Sequence, residues 1–104
     1  MSTIEKLAAT IAGRASASAD SSYTAKLLTG GVDKCAKKFG EEAFELALAA
    51  VSKNKTHTAQ EAADVIYHLL ILLQAADVSL ADVEAVLTAR EAQSGLDEKA
   101  NRRG

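Results

Sequence analysis

The sequence predicts an all-α fold, a bundle of about five helices per chain that is completed by dimerisation. Three observations predict it. The chain has no proline and is rich in alanine and leucine, residues that favour the helix most strongly. Wherever apolar residues recur regularly they do so every three or four positions, and strand-like alternation has little support. Hydrophobic residues make up 48% of the chain, yet its only aromatics are two tyrosines and two phenylalanines. A domain of this length therefore has a small core of its own and gains from sharing a helical face with a second copy.

The first helix is expected from about Thr3 to Ser16, with Ile4, Leu7, Ala8, Ile11 and Ala15 on one stripe. Small polar residues from Ser16 to Ser22 form a linker that lets the chain turn back. A short second helix starts near Tyr23 and ends at Gly30-Gly31, where glycine can take the left-handed conformation that closes a helix. The third helix, about Asp33 to Lys53, has its core stripe on Val32, Ala36, Phe39, Ala43, Leu46 and Ala50. Gly40 inside it costs roughly 1 kcal/mol relative to alanine, which fits either a close approach to the backbone or tight helix packing.

The fourth helix, about Thr58 to Ala76, is apolar around nearly its whole circumference and is expected to be central. From Ala62 to Ala76 only Asp64, His68 and Gln74 interrupt the apolar run, which is too short for a bilayer span of about 20 residues. The last helix begins near Ser79, where Ser79-Leu80-Ala81-Asp82 has the form of a capping box, and it carries Leu80, Val83, Val86 and Leu87. The whole chain, 1–104, reads as one domain, with 91–104 a flexible polar tail.

Charge and cysteine content exclude several function classes. A net charge of -2 gives no broad basic field for nucleic acid and no polybasic membrane anchor. Cys35 is the only cysteine, so neither an intrachain disulfide nor a thiolate zinc site can form. The N-terminus has no secretory pattern, and a cytoplasmic location is expected.

Two short carboxylate pairs stand out: Glu42-Ala43-Phe44-Glu45 and Glu61-Ala62-Ala63-Asp64. Acids three apart lie on one side of a helix, so a packed helix pair can bring four together as oxygen ligands for a hard cation such as Mg²⁺. On the fourth helix Glu61, Asp64 and His68 form a narrow polar stripe on an apolar rod, which is costly unless a cation or hydrogen bonds compensate. Taken singly, Glu41, Glu42 and Glu45 also fit a solvated face, and Glu61 also fits the capping box of a helix begun at Thr58. Tyr67 and His68 flank the acids, and Lys34, Lys37 and Lys38 lie within two turns of them, where phosphates would need positive charge. A di-iron bundle would need Glu-x-x-His pairs, whereas this chain offers only Asp64 and His68 at i+4. A purely structural helical dimer would explain the apolar pattern without any site.

Several segments together resemble the phosphoribosyl-ATP pyrophosphohydrolase family within the all-α nucleotide pyrophosphohydrolases. They are Ser22-Tyr23-Thr24-Ala25-Lys26-Leu27, Asp33-Lys34, Lys37-Lys38-Phe39-Gly40-Glu41-Glu42, Glu61-Ala62-Ala63-Asp64 and Tyr67-His68-Leu69-Leu70. The resemblance runs in order from about Leu7 to Arg90. It implies Mg²⁺-dependent hydrolysis of phosphoribosyl-ATP to phosphoribosyl-AMP and pyrophosphate, in histidine biosynthesis, by a homodimer. By the same resemblance Glu42, Glu45, Glu61 and Asp64 would hold Mg²⁺. A glutamate not fully committed to metal, Glu41 or Glu45, is expected to take the proton of the attacking water, Glu41 only across the dimer interface because the helical wheel turns it away from Glu42. Tyr23, Thr24, Lys26, Lys34, Lys38, Tyr67 and His68 would contact substrate. Relatives acting on ordinary or damaged nucleotides share the four acids and make the nearest alternative.

Overall fold

The computed structural model describes residues 1–18 and 22–92. They form five helices in chain order: α1 (Thr3–Arg14), α2 (Tyr23–Thr29), α3 (Gly31–Val51), α4 (Lys55–Ala75) and α5 (Leu80–Glu91). The described residues contain no strand, as the proline-free, helix-periodic sequence predicts. The expected flexible tail lies, beyond its first two positions, outside the described residues.

Side-chain caps open four of the five helices. Ser2 and Ser79 each accept a hydrogen bond from the backbone N–H three residues on, and Glu5 and Asp82 return the bond to make full capping boxes. Ser22 caps α2 through Ala25, and Asn54 caps α4 through His57. Each such cap contributes about 1 kcal/mol. Between α2 and α3, Gly30 is right-handed and Gly31 takes φ +83°, so the left-handed turn falls on the second glycine and the two helices meet with no intervening loop. Because Asn54 provides the cap, α4 starts three residues before Thr58, whose hydroxyl donates to the Asn54 carbonyl. Glu61 therefore has no capping role.

The core is drawn from four helices. Ile11 of α1, Leu27 of α2, Cys35 of α3 and Leu70 and Ile71 of α4 are buried and in contact, with Leu7, Leu28, Ile66, Tyr67 and Leu72 packed around them. Each fully buried aliphatic side chain among them contributes about 1.5–3 kcal/mol. The fourth helix is central as expected, because α4 packs against α1, α2 and α3. A three-residue turn, 52–54, folds α3 and α4 into an antiparallel hairpin.

The packed face of α3 differs from the expected stripe. Cys35 and Ala49 are the buried positions, while Val32, Ala36 and Ala50 are exposed. At 100° per residue the true face is centred on Glu42, about 80° around the helix from the expected stripe. A second apolar face is thereby left open, with Phe44 65%, Leu48 51% and Val51 79% exposed. Gly40 meets neither expectation within the chain, since a Cβ there would find nothing within 4 Å. No helix among the described residues is long and apolar enough to cross a membrane.

Candidate active site

The hairpin brings three of the four acids singled out by spacing into one cluster. Glu42 from α3 and Glu61 and Asp64 from α4 each offer a carboxylate oxygen, and these oxygens lie within 4.8 Å of one another. Glu42 and Glu61 are largely withdrawn from solvent, their side chains 18% and 16% exposed, whereas Asp64 is exposed. Desolvation cost therefore falls on Glu42 and Glu61, and Asp64 forms the open lip. Glu45 stands outside this group and is exposed, as is Glu41.

Each withdrawn acid has a basic neighbour one turn towards its own helix N-terminus. Lys38 Nζ lies 3.4 Å from Glu42 Oε1. The Glu42 carboxylate, with further contributions from the Tyr23 hydroxyl and Glu41, holds the Lys38 ammonium above its usual range. His57 Nε2 lies 3.7 Å from Glu61 Oε1 and is an ion-pair partner when protonated. His57 was not among the expected site residues. With α4 beginning at Lys55, His57, Glu61, Asp64 and His68 fall at i, i+4, i+7 and i+11 on one face, and that spacing is the signal that a later helix start hides.

On the α2 side of the acid cluster an aromatic ladder joins α2 to α4. Tyr67 OH and Thr24 Oγ1 share a hydrogen bond of 2.6 Å, with Thr24 buried. The Tyr23 ring stacks on Tyr67 with centroids 6.5 Å apart and planes at 16°. His68 sets its edge against both rings, at 6.3 Å from Tyr23 and 5.1 Å from Tyr67. Burial lowers the His68 pKa, assisted by Lys38 and opposed by Glu42 and Asp64, so the ring is neutral at pH 7. Of the expected substrate contacts, Tyr23, Thr24, Lys38, Tyr67 and His68 thus gather beside the acids. Lys26 and Lys34 are exposed and make no ion pair among the described residues.

Fold and site together define an all-α protein that presents a carboxylate cluster between two antiparallel helices, flanked by basic and aromatic groups. The donors are hard oxygens, which suit Mg²⁺ rather than a soft metal, and the single cysteine is buried in the core away from them. The chain belongs to the phosphoribosyl-ATP pyrophosphohydrolase family, whose model matches residues 4–91. It is 57% identical over 102 residues to a phosphoribosyl-ATP pyrophosphatase of Cereibacter sphaeroides, covering 98% of this chain and 99% of that one. A phosphoribosyl-ATP pyrophosphatase of Dinoroseobacter shibae is 55% identical over 98% of this chain and 100% of its own. One from Rhodopseudomonas palustris, phosphoribosyl-ATP pyrophosphatase 1, is 50% identical over 97% of this chain and 94% of its own.

Proposed function

We propose that the protein hydrolyses the α,β-phosphoanhydride of phosphoribosyl-ATP, releasing pyrophosphate and phosphoribosyl-AMP, as a Mg²⁺-dependent cytoplasmic homodimer in histidine biosynthesis. The observation that carries this reading is the convergence of Glu42, Glu61 and Asp64 from two helices in a chain of this family. Those three carboxylates would hold Mg²⁺, which when bound neutralises charge on phosphate oxygens and acidifies water. Lys38, already drawn to the cluster by Glu42, contacts the phosphate charge that remains. Glu45, three residues after Glu42, outside the cluster and open to solvent, would take the proton of the attacking water. Exposed Glu41 would serve only a site shared across the dimer. The neutral ring of His68 can donate or accept one hydrogen bond at the inner wall of the groove.

Homodimer formation is supported by the open apolar face of α3, where Phe44, Leu48 and Val51 recur at i, i+4 and i+7. An open depression of about 560 Å³ lies nearby, lined by Ala50, Lys53, Lys55, Thr58, Ala59 and Ala62. In addition, α5 has no buried residue, and Val86 and Leu87 are half exposed on it.

The deciding experiment is pyrophosphate release with Mg²⁺ from phosphoribosyl-ATP, beside ATP, dCTP and dUTP at equal concentration. Strong preference for phosphoribosyl-ATP, abolished by chelation and by Glu61→Gln, is expected. Turnover of the ordinary nucleotides instead would discard the substrate, and no release from any would overturn the enzyme reading.

A further inference from the structure

The acid cluster accounts for the phosphates of a nucleotide and leaves its base without a seat. Tyr23 is the one exposed aromatic ring beside the cluster, 52% exposed. It is also held in place. Its ring lies near-parallel to that of Tyr67, offset from it with centroids 6.5 Å apart and planes at 16°, and His68 meets it nearly perpendicular at 86°. Tyr67 is itself fixed by the 2.6 Å bond to buried Thr24. A tyrosine braced in this way gives up little conformational freedom on contact and presents both apolar area and a π-face to whatever lies above it.

Within electrostatic reach of the Tyr23 hydroxyl is a cation, and that cation pairs with the acids. Lys38 is close enough to the Tyr23 hydroxyl for that group to influence its proton affinity, and Lys38 Nζ bonds Glu42 of the cluster. Reading from α2 towards the α3–α4 turn, the groove presents an aromatic platform, an ammonium and three carboxylates. A nucleotide presents its parts in the matching order: a base, then phosphates, then the metal that bridges them. We infer that the free face of Tyr23 is the stacking platform for the purine base of the substrate, with Tyr67, Thr24 and His68 as the groups that brace it. This rests on the nucleotide-hydrolase reading above and adds the direction in which the substrate lies, its purine at α2 and its leaving pyrophosphate towards Glu61.

The protein supplies its own probe. It has no tryptophan, and Tyr23 and Tyr67 are its only tyrosines, so its intrinsic fluorescence arises wholly within the ladder. Titration of the intact protein with AMP is expected to quench this emission saturably, while ribose 5-phosphate, which lacks a base, leaves it unchanged. Tyr23→Ala, followed by calorimetry because it removes half the signal, should weaken AMP binding about tenfold to a hundredfold, the range for losing one base–aromatic stack. In turnover the loss should appear in KM, and Tyr23→Phe should recover most of it. The melting-temperature rise caused by Mg²⁺ should persist in Tyr23→Ala, because the acids are intact. Equal responses to AMP and ribose 5-phosphate, or an unchanged KM in Tyr23→Ala, would overturn the platform while leaving pyrophosphate release by the wild type untouched. A Tyr23→Ala chain that became monomeric at unchanged AMP affinity would also overturn it, assigning the ring to the dimer contact. Failure of the hydrolase reading would show separately, as no pyrophosphate release by the wild type.

Discussion

Replacing Glu61 by Gln and Asp64 by Asn together should change stability in opposite directions with and without Mg²⁺. Two unit charges 4.8 Å apart repel by about 3 kcal/mol at an effective dielectric near 20. Asp64 is exposed, and Lys38 already offsets part of the field at Glu42, so the net relief on neutralisation is discounted to about 1 kcal/mol. For a domain of this length that corresponds to a metal-free melting temperature raised by about 5 °C. The wild type, by contrast, should gain about 2.7 kcal/mol at a Mg²⁺ concentration 100 times its Kd, a rise on the order of 10 °C. The double variant should gain none. Scanning calorimetry in chelator and in MgCl₂, at one fixed protomer concentration, measures all four values. A Mg²⁺ rise of equal size in wild type and double variant would refute the assignment of the cation to this cluster, and a metal-free double variant less stable than wild type would refute the repulsion argument.

Four smaller effects can be measured alongside. Leu48→Glu places a charge on the open face of α3 without touching the protomer core, so the molar mass from light scattering should fall from dimer to monomer, and an unchanged mass would remove this face from the interface. Tyr67→Phe leaves the buried Thr24 hydroxyl without its partner and should cost about 1–3 kcal/mol, read as a lowered urea midpoint. Burial pushes the Cys35 thiol up, and its Sγ donates to the Leu27 carbonyl, so alkylation should be slow in the native protein and fast in denaturant. His68 has a folded pKa below its unfolded value, so the stability it leaves intact above about pH 6.5 is lost as pH falls towards the folded pKa. Of the two histidine ring resonances in the NMR spectrum, the one that survives His57→Gln should titrate below the usual range; a normal midpoint would contradict its burial.

The helices were legible in the sequence because their signals are local: capping residues, glycines and apolar recurrence all act within a few positions. Errors arose where two local signals competed. Thr58 and Asn54 both suit an N-cap, and the tertiary position of the turn favours Asn54, which brings His57 onto the acid face. On α3 the difficulty was of another kind. The helix is apolar on two sides, and periodicity cannot tell which side meets the rest of its own chain; the larger side chains of Phe44, Leu48 and Val51 are the ones left open. The sequence singled out four acids, and the i, i+3 pair on α4, Glu61 and Asp64, converged with Glu42 but not with Glu45. Whether Glu45, about 60° beyond Glu42, joins them depends on the rotation of α3, which the sequence does not contain. Least legible was the bond from Thr24 to Tyr67, between residues 43 apart that nothing in their surroundings links.

That separation has a consequence for the order in which the groove is assembled during folding. The acids sit on two arms joined by the 52–54 turn, so they meet as soon as one hairpin closes, an event of low contact order and small loop entropy. The aromatic ladder requires α2 to dock on α4 across a much longer stretch of chain. The acid cluster, proposed to hold the cation, is thus a local product of one supersecondary unit, while the aromatic ladder, proposed to seat the base, matures only when the tertiary fold is complete.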